Sequence, residues 1–342
     1  MKAARAHDGA STFAIDEIDE PVLAPGEVLV EVKACGLCGS DLHILDGVTA
    51  PAFRPITLGH ESAGIVRRTS SAVTDAAVGD RVFVNPLIAC GRCEPCRRGR
   101  SHICVERSVL GIHRDGAFAE LMSVPAANLV PLPAALPFEQ AAMIESASVP
   151  FHALTRRAPV QAGDAVAVIG VGGLGSHALQ IAQLLGATRV FAIDIDAAAL
   201  RRASASSDCV AVDARTSDPV TTVRRLADGG VDVVLDTVGR PATGRWAVEL
   251  LRPGGIAALA GIGGADLLLP SSSTFARGEI ELRGVYGYAQ DQCARVASLI
   301  ASGQLDVRGA IGEVQPLEAI NTGLAHFRRA SGAPIRVVIV PS

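Results

Sequence analysis

Ala165-Val-Ala-Val-Ile169-Gly170-Val-Gly172-Gly173-Leu174-Gly175 is the stretch that decides the fold. Its first five residues are apolar and read as a strand of a buried parallel sheet. The glycines that follow match the pattern G-x-G-x-x-G, and a helical pattern runs from Ser176 to Leu185. Alone, that pattern is a weak signal. Between a strand and a helix it is strong, because the glycines permit the tight turn and let a pyrophosphate approach the helix N-terminus. Gly170, Gly172, Gly173, Leu174 and Gly175 are therefore the expected dinucleotide-binding residues. A second strand, Arg189-Val-Phe-Ala-Ile193, ends at Asp194, near the spacing of a carboxylate that binds the adenosine ribose diol.

Working outward, strand candidates follow at 209–212, 231–235 and 256–260, with helices between them. Alternation of β and α elements predicts an α/β fold with a doubly wound parallel sheet. The chain before this region has another character. Short β-like runs such as Val28-Leu-Val-Glu-Val32 and Arg81-Val-Phe-Val84 are broken by Pro21, Pro25, Gly26, Gly59, Gly79 and Pro86. They predict an irregular, mostly-β domain rich in loops, a scaffold on which loop-borne ligands can converge. A Pro-rich link (Pro131, Pro133, Pro137) leads into a helical stretch at 139–147. A last helix is expected at 291–302, and a final β-like run, Ile335-Arg336-Val-Val-Ile-Val340, is expected to return to the first domain. The predicted division is 1–146 with 287–342, and 147–286.

Two cysteine-bearing stretches interrupt the β domain. The first is Cys35-Gly-Leu-Cys38-Gly-Ser40-Asp41-Leu-His43, followed later by Gly59-His60-Glu61. Cys38 and His60 offer a thiolate and an imidazole, the pair that a borderline-soft ion such as Zn²⁺ prefers. Asp41 and Glu61 stand beside them as carboxylates able to orient the imidazole or join the shell. A reduced buried cysteine and an unrelated surface histidine would explain either residue alone. They do not explain the pair alongside a second cysteine cluster and a dinucleotide loop. That cluster is Cys90-Gly-Arg-Cys93-Glu-Pro-Cys96, with Cys104 eight positions on. Four thiolates leave a tetrahedral ion no open position, so the 90–104 lobe is expected to hold a structural zinc. A thioredoxin-like redox motif would need a strand-to-helix context that this Gly-, Pro- and Arg-rich loop lacks. A zinc-ribbon or RING-like binding module is the other rival, but here the cluster is embedded in a larger domain. Cys35, Cys209 and Cys293 read as reduced packing residues.

Bulk properties bound the function. The 342 residues suffice for two domains, and a net charge of −4 gives no reason to expect nucleic acid or an anionic membrane as partner. No apolar run reaches the length of a membrane span, and Met1 to Arg5 leads into no signal-like apolar segment. A cytoplasmic protein is expected, in which eight cysteines serve metal rather than disulfides.

Together these motifs, in order and nearly end to end, resemble the zinc-containing medium-chain alcohol and polyol dehydrogenases. The resemblance implies a GroES-like first domain, a Rossmann second domain, catalytic and structural Zn²⁺, and NAD. Cys38 and His60 match two catalytic zinc ligands. Glu145 falls where the family places its third, and Glu61 matches a glutamate behind the zinc that enters its shell in some members. Asp41 matches the partner of the ligand histidine. Ser40 and His43 match a relay carrying the alcohol proton to solvent, and Arg336 matches a basic residue near the coenzyme pyrophosphate. Three departures are Gly39, Ala199 and Ser206-Ser207, none of which touches the chemistry. The implied reaction moves a hydride between NAD and a small-molecule alcohol, of the secondary-alcohol, polyol or amino-alcohol kind, to give a ketone or aldehyde. The expected assembly is a homodimer or homotetramer. Two rivals are a zinc-independent NADPH enone or quinone reductase of the same fold and a non-catalytic zinc- and nucleotide-binding protein. The first lacks the Cys38/His60 pair and the cysteine lobe; the second leaves the complete set of ligands, relay and coenzyme loop hard to explain without turnover.

Overall fold

The structure is a computed structural model and describes residues 1–329 and 335–341. The chain divides into two compact units. The first comprises Met1–Glu145, Ala289–Gly303 and Ala310–Ser342, the second Ser146–Tyr288 and Gln304–Gly309.

In the second unit six parallel strands form one sheet: Ala165–Ile169, Arg189–Asp194, Val210–Asp213, Val231–Asp236, Leu251–Leu259 and Glu281–Gly284. Counted along the chain they lie in the order 3-2-1-4-5-6, the doubly wound arrangement. Val166, Ala167, Val168 and Ile169 are buried, as a strand covered on both faces requires. The helix Gly173–Leu184 starts three residues before the expected Ser176, because two of the loop's glycines already belong to its first turn. Not all of 287–342 joins the first unit. Gln180 brackets the backbone of Asp306, donating from Nε2 to its carbonyl at 2.8 Å and accepting from its N–H at 2.9 Å. These bonds account for the segment Gln304–Gly309 lying with the parallel sheet.

The first unit is built on the long strand Glu27–Gly36, where Val28, Val30 and Val32 point into a core shared with Phe13, Leu58, Phe118 and Met122. Each such side chain contributes about 1.5–3 kcal/mol on burial. Glu61–Thr69 pairs antiparallel with this strand, in a register that sets Glu61 opposite Gly36. The tail strand Arg336–Val340 pairs with its end, Ile339 opposite Cys35. A two-residue ladder between Leu87–Ile88 and Ser108–Val109 closes the base of the cysteine lobe. Among the described residues no helix is long and apolar enough to cross a membrane.

Candidate metal and coenzyme sites

Cys38 follows the long strand and caps the helix Gly39–Leu45. Its backbone N–H donates to Asp41 Oδ2 at 2.9 Å, while Asp41 N–H donates back to the Cys38 carbonyl at 3.1 Å. This turn fixes where the thiol points. His60 arrives by a different constraint. Gly59 has a φ of +93°, and a Cβ there would lie 2.9 Å from both Cys35 Sγ and the Phe118 ring. Only glycine lets the chain bend there into His60. Cys38, His60 and Glu61 thereby each bring a ligand atom to within 4.8 Å of the others.

The tail strand adds a charge from far along the sequence. Arg336 is 5% exposed and Glu61 fully buried; Arg336 Nε donates to Glu61 Oε2 at 2.9 Å and Oε1 at 3.1 Å. A second guanidinium nitrogen lies 3.9 Å from Cys38 Sγ. Within this unit, then, the arginine for which the resemblance implies a pyrophosphate contact is directed at the metal-ligand candidates. A buried carboxylate requires such a partner, since an unpaired buried charge costs about 3–5 kcal/mol. Burial on its own would lower the His60 pKa, but Cys38, Asp41 and Glu145 outweigh it and hold the imidazole well above its ordinary value. That pull marks a place where positive charge is favoured, which suits a divalent cation. Asp41 is pushed up by burial and pulled back by His60 and the Cys38 N–H. Its Oδ1 stands 3.7 Å from His60 Nδ1, longer than a hydrogen bond, so it orients the ring by charge. His60 Nε2 faces Ser40 Oγ at 3.4 Å. His43, one turn further along the same helix, is exposed. Glu145 is outside the three-residue ligand group, although its charge acts on both His60 and Arg336.

Cys90, Cys93, Cys96 and Cys104 form a second group, again with ligand atoms within 4.8 Å of one another. Cys93 Sγ lies 3.3 Å from Cys96 Sγ and 3.8 Å from Cys104 Sγ, and all four are free thiols. The N–H groups of Cys96 and Val105 hold the Cys93 thiol down to about 6, while burial and the adjacent thiols push Cys96 up to about 12. Four sulfurs converging at a loop form a donor set that fits a closed tetrahedral ion. Cys35 and Cys293 are buried and Cys209 half-buried, as packing residues are.

In the parallel-sheet unit, Gly170 has a φ of +82° and a Cβ on Gly172 would meet nothing within 4 Å. The loop thus turns tightly and presents an open backbone face at the helix start, a natural seat for an anion. Asp194 Oδ2 accepts from Val171 N–H at 2.8 Å and Oδ1 from Asp196 N–H at 2.9 Å. Each oxygen keeps a second lone pair for a hydroxyl. Leu174 and Gly173 form the first turn of the helix. Sequence reasoning missed Asp236, which ends the fourth strand as Asp194 ends the second. The repeated pattern of an apolar strand closed by aspartate was the available signal.

A GroES-like β unit carrying clustered Cys, His and Glu ligands and a separate dinucleotide-type parallel sheet define a two-domain alcohol dehydrogenase. Comparison with known proteins agrees. The family model for the alcohol dehydrogenase GroES-like domain matches residues 24–134, and that for zinc-binding dehydrogenases matches 173–302. Sorbitol dehydrogenase of Bacillus subtilis (strain 168) is 30% identical over 347 residues, covering 100% of this chain and 98% of the relative. Alcohol dehydrogenase TADH from Thermus sp. ATN1 superposes with a TM-score of 0.94 at 32% identity, covering all of both chains. A protein from Sinorhizobium meliloti 1021, described as a zinc-binding dehydrogenase and bound to NADP, has a TM-score of 0.91 at 31% identity, covering 99% of each chain. The chain belongs to the zinc-containing medium-chain dehydrogenase family, and its chemistry is the oxidoreduction of an alcohol.

Proposed function

We propose that this protein is an NAD-dependent dehydrogenase of secondary alcohols, polyols or amino-alcohols, with two zinc ions per chain. The observation that carries the reading is the convergence of Cys38, His60 and Glu61 within 4.8 Å. Cys38 and His60 would hold the catalytic ion, with Glu145 or Glu61 completing the protein ligands, and the four lobe cysteines would hold the structural one. Zinc held by Cys38 and His60 supplies Lewis-acid chemistry toward an alcohol oxygen. Asp41 keeps the His60 ring oriented, and Arg336 neutralises Glu61 in the buried base of the site. Ser40 would take the proton from the alcohol hydroxyl, and His43, exposed on the same helix, would pass it to solvent. The glycine loop binds the pyrophosphate and Asp194 the adenosine ribose. The setting is expected to be cytoplasmic and the assembly a homodimer or homotetramer. Elemental analysis tests the metals: about two zinc ions per chain separate this reading from a zinc-independent reductase. A panel of secondary alcohols, diols, sugar alcohols and amino-alcohols, read by nicotinamide reduction, identifies the substrate.

The proton path gives one expected result. Histidine is the side chain suited to proton transfer between pH 5 and 8. His43→Gln should lower turnover by about a hundredfold, the low end of what a positioned proton-transfer group contributes. Unchanged turnover would remove His43 from the relay.

Coenzyme choice gives another. A carboxylate at Asp194 accepts hydrogen bonds from both ribose hydroxyls and repels the 2′-phosphate of NADP. Arg201 and Arg202 lie about two helical turns beyond it, further than a phosphate at the strand tip would favour. Wild-type enzyme should show the higher kcat/KM with NAD. Asp194→Gly should weaken NAD use by about tenfold to a hundredfold and narrow the gap to NADP. A wild-type preference for NADP in steady-state kinetics would sink the assignment.

A further inference from the structure

The strand order of the parallel sheet reverses between Ala165–Ile169 and Val231–Asp236, which brings the loops leaving these two strands side by side. Sheets of this kind bind ligands in the crevice at that reversal. Thr237 ties the loops together. Its backbone N–H donates to the Ile169 carbonyl at 2.9 Å, and its hydroxyl lies 2.9 Å from the Gly170 carbonyl and 3.1 Å from that of Ile169. The Gly170 carbonyl is also what the helix start packs against: a Cβ on Gly175 would lie 1.8 Å from it. On its other side, a Cβ on Gly170 would lie 2.5 Å from Val238 Cγ2 and 2.8 Å from Thr237 Oγ1. The first turn of the glycine loop is therefore gripped between the helix and Thr237.

Thr237 is itself braced. Asp236, fully buried, accepts at Oδ1 from Val238 N–H at 2.8 Å and Gly239 N–H at 3.2 Å, and at Oδ2 from the Thr243 hydroxyl at 2.8 Å. The Thr243 oxygen in turn accepts from Arg240 N–H at 3.0 Å. Burial pushes the Asp236 carboxyl up, and these donors pull it back. Residues 237–240 thus form a strut anchored in the sheet interior and ending on the glycine loop.

We propose that Thr237, braced by Asp236 and Thr243, is a positioning residue for the coenzyme, its hydroxyl holding the Gly170 carbonyl so that the loop's N–H groups stay aimed at the pyrophosphate. The inference rests on the glycine loop being the dinucleotide site. Its physical basis is preorganisation: a loop already fixed in its binding conformation loses less freedom on binding. Thr237 touches no reacting atom, so its loss should act on coenzyme affinity and leave the chemical step alone.

Thr237→Val keeps the shape and removes the proton. NADH titration by fluorescence should show a Kd raised about tenfold, equivalent to about 1.4 kcal/mol, with coenzyme KM rising in step. The kcat should change by no more than about twofold, and Thr237→Ser should restore the Kd to within about threefold of wild type. Wild-type affinity in the valine variant overturns the inference. So does a serine variant as weak as valine, which would assign the effect to the methyl group. Should the valine variant not fold, Thr237→Ala against Thr237→Ser poses the same question. A wild-type protein that bound neither NADH nor NADPH would overturn the coenzyme reading itself, a result distinguishable from failure of the strut.

Discussion

Cys38→Ala should abolish turnover, with a loss on the order of 10³-fold or more, and leave a folded protein. A Lewis acid contributes several kcal/mol of charge stabilisation in the transition state, and each 1.36 kcal/mol is tenfold in rate. Removing the thiolate would open the proposed catalytic ligand set on one side only. Cys38 caps a short helix and is only half-buried, so little packing depends on its side chain. The Arg336–Glu61 pair, which neutralises the buried carboxylate, does not pass through it. Thermal unfolding should therefore stay within a few degrees of wild type, while zinc content falls from about two ions per chain toward about one. A Cys38→Ala variant with wild-type kcat/KM would show that the cluster is not the catalytic centre.

Cys93→Ala should act on folding instead. The lobe at 90–104 has almost no apolar interior: apart from His102 and Cys104 its residues are half-buried or exposed. Such a loop repays little of its conformational entropy by hydrophobic burial, so an ion held by the four sulfurs would supply much of its order. Binding of a structural zinc is folding free energy. If the lobe forgoes about 4–5 kcal/mol, the unfolding temperature should fall by about 10 °C or more in a domain of this size. Zinc should be released from the variant, and a strong chelator should reproduce the effect on wild-type protein. A Cys93→Ala variant as stable and as active as wild type would end the structural-site reading.

These two variants separate the two proposed metal sites because the sequence places their residues in different mechanical settings. Cys38 and His60 sit where core elements end, so the fold positions them whether or not an ion is present. Cys90, Cys93, Cys96 and Cys104 sit in a loop that has little else to position it. The Arg336–Glu61 pair belongs with the former, since sheet register alone brings the two residues together.

Much of this was legible in the chain. Apolar strand, glycine loop and following helix are local signals, because the turn needs glycine at fixed spacing and the buried strand needs an unbroken apolar run. The convergence of the lobe cysteines was legible for the same reason, since they lie within 15 residues of one another. The alternation of strands and helices implied the parallel sheet but not the point at which its order reverses. Tertiary structure alone decided the partners of Arg336, separated from Glu61 by 275 positions and joined to it through the pairing of strands with Glu27–Gly36. It also decided the partners of Thr237, whose hydroxyl meets the Gly170 carbonyl only because Val231–Asp236 lies beside Ala165–Ile169. Local geometry is encoded by residues near in sequence, and a sequence shows it directly. Register and strand order are set by the packing of the whole domain, and they determined which distant charges and hydroxyls meet.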